Sequence, residues 1–302
     1  MQNYIFLIGA PKCGTSNLAA MLGALPEIAL ARGKEPCFFT DFAERRWSGP
    51  GARAFARIPR DLADYHALFA HKPAAAWRLD ASTDYLWNPA AAGRIADFAA
   101  RPDVGEIRIL AVLRDPVARI ISEYQHTRRD QLETLGLTAS LRAEAQRIAD
   151  GWHPLFYHRL RSRYSGQIAR YDALFGDRLE VLDFHAAQGE ALLRQVSRNL
   201  GVEPVADVPA DRNRNESYVT QSRTVKAALY NPALKRVARA LVPREWRKAA
   251  WARIDRMNRT TIEVSEPDRA AIRESLADEI AACAADPRIP TVNWSQAFAT
   301  PA

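Results

Sequence analysis

The stretch Tyr4-Ile5-Phe6-Leu7-Ile8-Gly9-Ala10-Pro11-Lys12-Cys13-Gly14-Thr15-Ser16 decides how the rest of the chain is read. Five consecutive apolar residues closed by a glycine suit a parallel strand buried on both faces. Leu18, Met21, Leu22 and Leu25 then recur at helical spacing, which predicts a helix over Thr15 to Leu25. Between strand and helix, Gly9 and Gly14 stand at the G-x4-G spacing of a phosphate loop. Such glycines let backbone N–H groups turn inward as an anion nest. The helix start adds unpaired N–H groups and the positive end of its dipole. An anion is the expected guest.

Working outward, Trp77-Arg78-Leu79-Asp80-Ala81 reads as a second strand. Ile107 to Leu113 (IRILAVL) is the clearest strand of all, and Leu179 to Phe184 is another. Asp115-Pro116 starts a helix, with Asp as N-cap and Pro in the first turn. Tyr164, Ile168, Tyr171 and Phe175 mark a helix with one buried stripe, stopped by Gly176. Glu190 to Leu200 is a further helix closed by Gly201. Strands alternating with helices predict an α/β protein of the P-loop type: three layers, with a central parallel sheet flanked by helices.

The 302 residues carry a formal charge of +7, from only six Lys and 36 Arg against 35 acids. Residues 211–260 hold ten Arg and three Lys against four acids, so the positive excess sits there. No good strand is read beyond residue 211. The expected organisation is one domain over 1–302: an α/β nucleotide-binding core over 1–205 and a basic, mainly helical C-terminal part over 206–302. The basic segment is read either as solvated helices or as a recruiting surface for an anionic acceptor. Within it, Arg212, Arg214 and Arg223 are candidates to fold over a nucleotide. Three cysteines (13, 37, 283) without metal-ligand spacing read as reduced thiols. The N-terminus lacks the basic region of a secretory signal, and no apolar run is long enough to span a membrane. A cytoplasmic protein is expected. Its oligomeric state is not legible.

The loop departs from that of an ATPase. Thr15-Ser16 follows Gly14 directly, and the lysine has moved inside the loop to Lys12. The Asp that ends a second strand and helps hold magnesium is replaced by Arg114, and Asp115 reads as a helix cap. The anion cradle is kept without the metal apparatus. A Mg-ATP-dependent P-loop kinase is therefore the alternative reading, and a nucleic-acid-binding protein has no recognised motif to support it. No metal site is expected.

Four segments together resemble the sulfotransferases that use 3′-phosphoadenosine 5′-phosphosulfate (PAPS). Phe6 to Ser16 resembles the family's 5′-phosphosulfate loop. Leu113-Arg114-Asp115-Pro116-Val117-Ala118-Arg119-Ile120-Ile121-Ser122-Glu123-Tyr124 resembles its 3′-phosphate motif, in which an Arg and a Ser eight residues later bind the phosphate. Lys34-Glu35-Pro36-Cys37-Phe38-Phe39 resembles the Lys-Glu-x-x-Phe-Phe segment of the heparan sulfate and glycan branch. Asp80-Ala81-Ser82-Thr83-Asp84-Tyr85 resembles an acceptor-side motif of that branch, where some members carry a catalytic Lys at the position of Ala81. The similarity runs in order over roughly residues 4–201.

The resemblance implies a PAPS donor, metal-independent transfer to a hydroxyl or amine of a glycan or small metabolite, and an acceptor that is open to being anionic. It implies that Lys12, Cys13, Gly14, Thr15, Ser16 and Asn17 surround the 5′-phosphosulfate and that Arg114 and Ser122 hold the 3′-phosphate. Lys12 is the candidate to stabilise the leaving oxygen. Glu35 is a candidate base. His126 is another: it lies one turn from Ser122 on the same helix face, about 6 Å along the axis. Phe38 and Phe39 read as core. His66, His71, His153, His158 and His185 are assigned no role.

Overall fold

The computed structural model describes residues 1–33, 35–52, 58–185, 190–202, 219–220, 259–260 and 263–299. Five parallel strands form the central sheet: β1 (Gln2–Gly9), β2 (Ile28–Leu30), β3 (Trp77–Asp80), β4 (Val104–Leu113) and β5 (Leu179–Asp183), in the order β2-β3-β1-β4-β5. The helices between them are α1 (Thr15–Ala24), α2 (Leu62–Ala67), α3 (Ala91–Ala99), α4 (Pro116–Arg129), α5 (Leu137–Ala149), α6 (Tyr164–Phe175) and α7 (Glu190–Leu200). Two more, α8 (Glu266–Ser275) and α9 (Ala277–Ala285), follow near the C-terminus.

Burial explains why Tyr4 to Ile8 of β1 form a continuous apolar run. Tyr4 and Phe6 meet Phe98 of α3 on one face of the sheet, with ring centroids 4.9 and 6.4 Å away. Alternation sends Ile5 and Leu7 to the other face, and both are fully buried. A strand covered on both sides has no position left for a polar residue. In α6 the predicted stripe Tyr164, Ile168, Tyr171 and Phe175 is buried throughout.

Register lines up the functional edge. Phe6 pairs with Asp80, Gly9 with Ala111, and Leu113 with Asp183, so the strand ends at Gly9, Asp80, Leu113 and Asp183 open on one side of the sheet. The chain leaves β1 toward β2 and β3 on one side and returns to β4 on the other. Ligands of open α/β sheets bind outside the strand ends where the order reverses in this way.

Two findings differ from the sequence reading. The edge strand β2 was not anticipated, because three residues are too few to show a period. Beyond residue 211, where no strand was read, β6 (Val219–Thr220) pairs antiparallel with β7 (Arg259–Thr260), again too short for a pattern. The rest of the basic segment 211–260, with Arg212, Arg214 and Arg223, lies outside the described residues, as does Lys34. The described C-terminal residues dock on the core. The Glu279 carboxylate of α9 accepts from the Ser165 N–H (2.7 Å) and hydroxyl (3.0 Å) at the start of α6.

Candidate active site

The site begins where β1 turns into α1. Gly14 is the N-cap of α1 in the left-handed region, φ 77°, and no side chain caps the helix. Thr15 and Ser16 are therefore the first two helical residues rather than caps. The N–H groups of this first turn are open at the helix end, which suits an anion. A Cβ at Gly14 would lie 3.1 Å from the Phe184 ring, a tight contact, and the left-handed backbone adds strain for any side chain there. Gly9 is similarly pressed: a Cβ would meet Leu86 Cβ at 2.8 Å and the Thr83 carbonyl at 3.0 Å. Lys12 adopts φ 70°, an unusual conformation for a residue with a Cβ, and is half-buried. Cys13 is buried, its thiol 3.7 Å from the Pro11 carbonyl and its N–H donating to the Ala10 carbonyl at 3.3 Å. Burial pushes that thiol up to about 11. The Asn17 amide turns along the helix toward Met21 Sδ at 3.5 Å.

The second cationic element follows β4. Arg114 lies over the Phe184 ring, its guanidinium carbon 4.8 Å from the centroid. Phe184 thus has Arg114 on it and Gly14 against it, and joins the two segments into one wall. The Arg114 and Arg119 guanidiniums both act on the Cys13 thiol, so Arg114 is electrically close to the loop. Tyr164 donates to the Arg114 carbonyl at 3.1 Å and fixes its backbone. Phe184 was not anticipated as a site residue. The available signal was its place directly after β5, at the same sheet edge as Gly9 and Arg114.

Asp115 caps α4 as the Asp-Pro pair predicts: Oδ1 accepts from the N–H of Val117 (2.9 Å) and Ala118 (3.1 Å). Its other oxygen accepts from Gln296 N–H (2.7 Å) and Ala297 N–H (2.8 Å), 181 and 182 residues away. Asn293 reaches Asp183 at 2.7 Å, and Trp294 packs on Tyr164 with centroids 5.8 Å apart. The C-terminal strap therefore grips the ends of β4 and β5 on either side of Arg114 and Phe184. Asp115→Ala removes the cap, worth ~1 kcal/mol. It also leaves two N–H groups without their acceptor, ~1 kcal/mol or more each. We expect a loss of about 2–4 kcal/mol, seen as a lower urea midpoint with an unchanged slope. Asp115→Asn keeps the cap and should fall between.

On α4, Ser122 is buried and His126 is partly exposed one turn further on. Burial and then the Lys12 ammonium push His126 down to about 4, so its imidazole is neutral at pH 7. Its Nε2 lies 3.4 Å from the Asp130 carboxylate, and its buried Nδ1 has no hydrogen-bond partner. Lys12 and His126 thus belong to one electrostatic region although 114 residues separate them.

Glu35 enters from the loop after β2. Its φ of 56° and the 53° of Cys37 put two non-glycine residues in the left-handed region on either side of Pro36. Strain of this kind persists only where surroundings over-determine it. Here Thr83 donates to Glu35 Oε2 at 3.1 Å, and Cys37 N–H donates to Ser82 Oγ at 2.9 Å. Ser82 in turn donates to Asp80 at 2.6 Å, and Tyr65 and Tyr85 donate to the other oxygen of Asp80 at 3.1 and 2.7 Å. Asp80, pushed up to about 6 by burial, is thus an anchor for the Glu35 loop. Phe39 is core. Phe38 stacks on Tyr65 at 4.8 Å. Glu35, Cys37 and Asp84 bring ligand atoms within 4.8 Å of one another. The trio is poorly suited to a cation. Burial and then the Asp84 carboxylate push the Cys37 thiol far up, and Asp84 is already paired with Arg161 at 2.7 Å.

Beneath the site runs a buried ionic network. Glu123 of α4 accepts from Arg119 (2.8 Å), from Arg161 and from His158 (3.0 Å), and Arg161 also reaches Asp84. Burial would raise Glu123, but Arg119 and Arg161 outweigh it and hold the carboxyl well below its usual range. His158, given no role from the sequence, is part of this support.

No protein-family profile and no curated protein matches the chain. Among solved structures, a sulfotransferase from Alicyclobacillus acidocaldarius is similar at 28% identity and a TM-score of 0.67, over 93% of this chain and 94% of that one. The sulfotransferase domain from the curacin biosynthetic pathway is 14% identical over 70% and 76% of the two chains, with a TM-score of 0.42. The described residues have the α/β fold of a sulfotransferase, and the sulfotransferase resemblance is supported. These neighbours do not single out the heparan sulfate branch. Sulfuryl transfer in general is supported, and a kinase is not favoured.

Proposed function

We propose that the chain transfers the sulfuryl group of PAPS to a hydroxyl or amine acceptor by in-line displacement. The observation that carries this reading is the shared wall. Arg114 lies on Phe184, and Phe184 lies against Gly14 at the open start of α1. A nucleotide phosphorylated at both ends needs two cationic cradles a short distance apart, and these two are contiguous. The glycine hollow and the buried, unpaired His126 Nδ1 both fit a bound polar group.

In this reading the α1 N–H groups, Thr15 and Ser16 hold the 5′ end, and Arg114 with Ser122 holds the 3′-phosphate. Lys12 stabilises charge on the leaving oxygen. Glu35 takes the acceptor proton, while neutral His126, within the field of Lys12, is the second group able to accept or position a proton. Support for metal-independent chemistry is positive: Arg114 stands at the strand end where a metal-binding acid would serve, and both Asp115 oxygens are engaged by backbone donors. The core over 1–205 and the part over 206–302 work as one domain, a reading supported by the strap on Asp115 and Asp183. No helix among the described residues is long and apolar enough to cross a membrane, and Cys13, Cys37 and Cys283 are free thiols.

Thermal denaturation tests the donor. Adenosine 3′,5′-bisphosphate at about 100 times its Kd is expected to stabilise the chain by about 2.7 kcal/mol, and ADP by less. Arg114→Ala and Ser122→Ala should reduce that response. An equal response to both nucleotides would remove the 3′-phosphate assignment.

A further inference from the structure

Beside the anion loop lies a cleft of about 350 Å3. Its polar lining is Thr15, Ser16, Glu35 and Thr83, and the rest of its wall includes Ala19, Ala20, Leu30, Ala31, Pro36 and Ala81. The two kinds of wall are separated. Thr15 and Ser16 are at the loop end of α1, and Ala19 and Ala20 follow one turn away, about 6 Å along the axis. Leu30, on β2, packs against Gly23 further still along that helix, where a Cβ would meet its side chain at 2.8 Å. Glu35, tied to Thr83, sits among the polar residues.

Resting on the sulfuryl-transfer reading above, we propose that the acceptor is a small uncharged alcohol or phenol carried on an apolar body, rather than a sugar chain. A sugar ring carries a hydroxyl on nearly every carbon, and each would lose water against alanine and leucine without a replacement partner. One hydroxyl at the polar end and hydrocarbon beyond it match the division of the walls. The volume is at the small end of the range for ligand pockets, roughly 300–1,000 Å3. The Glu35 carboxylate disfavours an anionic acceptor beside an already anionic donor. In the reaction the acceptor O–H proton passes to Glu35 and a new O–S bond forms. The bond from sulfur to the bridging phosphate oxygen breaks, and its electron pair stays on that oxygen.

The test supplies the full chain with PAPS and a series of straight-chain primary alcohols and para-alkyl phenols. Glucose and glucosamine serve as the polar arms, and product is read as the mass of one added sulfuryl group. Each methylene entering the apolar end is expected to raise kcat/KM about four-fold, the equivalent of ~0.8 kcal/mol, until the cleft is full. Ala20→Phe, at an exposed helix position, should end that rise at a shorter chain without moving the thermal shift caused by adenosine 3′,5′-bisphosphate. A series with no gain in chain length, or a sugar or amine that outpaces the alcohols, overturns the acceptor class while an intact nucleotide shift leaves the donor reading standing. Absence of any nucleotide shift overturns both.

Discussion

Lys12→Ala is expected to lower kcat by about 10²–10³-fold, the effect of removing one donor aimed at developing charge. The lysine sits inside the turn between Gly9 and Gly14 at φ 70°, and its ammonium acts on His126 across the site. Its removal should leave the fold intact, because Lys12 lies in a loop outside the apolar core. Two readouts separate chemistry from binding. Nucleotide affinity should change far less than kcat. The imidazole of His126 should titrate closer to its ordinary value once the neighbouring cation is gone, which NMR can follow. Unchanged turnover in Lys12→Ala would clear this residue of any role at the leaving oxygen.

Glu123→Ala should have the largest effect on stability. The side chain is 1% exposed and neutralises two guanidiniums that are themselves buried, Arg119 and Arg161. Breaking a buried pair by removing one partner costs ~3–5 kcal/mol, because the remaining charge stays uncompensated. Against a typical total of ~5–15 kcal/mol that is a large share, and a Tm lowered by roughly 5–15 °C is expected. The pH dependence has a definite sign. A carboxyl held below its unfolded value adds stability that is fully present above about pH 4.3. That stability is lost as pH falls further, through the lower folded value. The parent should therefore lose stability steeply on acidification, and Glu123→Gln should show a shallower acid limb. Equal acid limbs would mean that Glu123 is not the proton-linked group.

The same network shows where sequence reading ends. Arg114 and Ser122 are legible as a pair only through the resemblance to the 3′-phosphate motif. Arg119, Glu123, His158 and Arg161 look like ordinary surface charges in an Arg-rich chain, and only packing reveals them as the floor under the site. Phe184 was legible as the last residue of a strand but not as the wall between two cradles. Glu35 was legible as a carboxylate in a loop. Its support from Thr83, 48 residues away, was not.

Periodicity and backbone chemistry act within about ten residues, so the chain itself was enough to specify β1, the Gly9–Gly14 turn, the start of α1, the stripe of α6 and the Asp115 cap. Strand order, the contact of Arg114 with Phe184 and Gly14, the cleft beside Glu35 and the strap of Gln296 and Ala297 on Asp115 were decided only in three dimensions. Each of them depends on which distant segments share a buried surface, and burial is a property of the assembled sheet rather than of any local pattern.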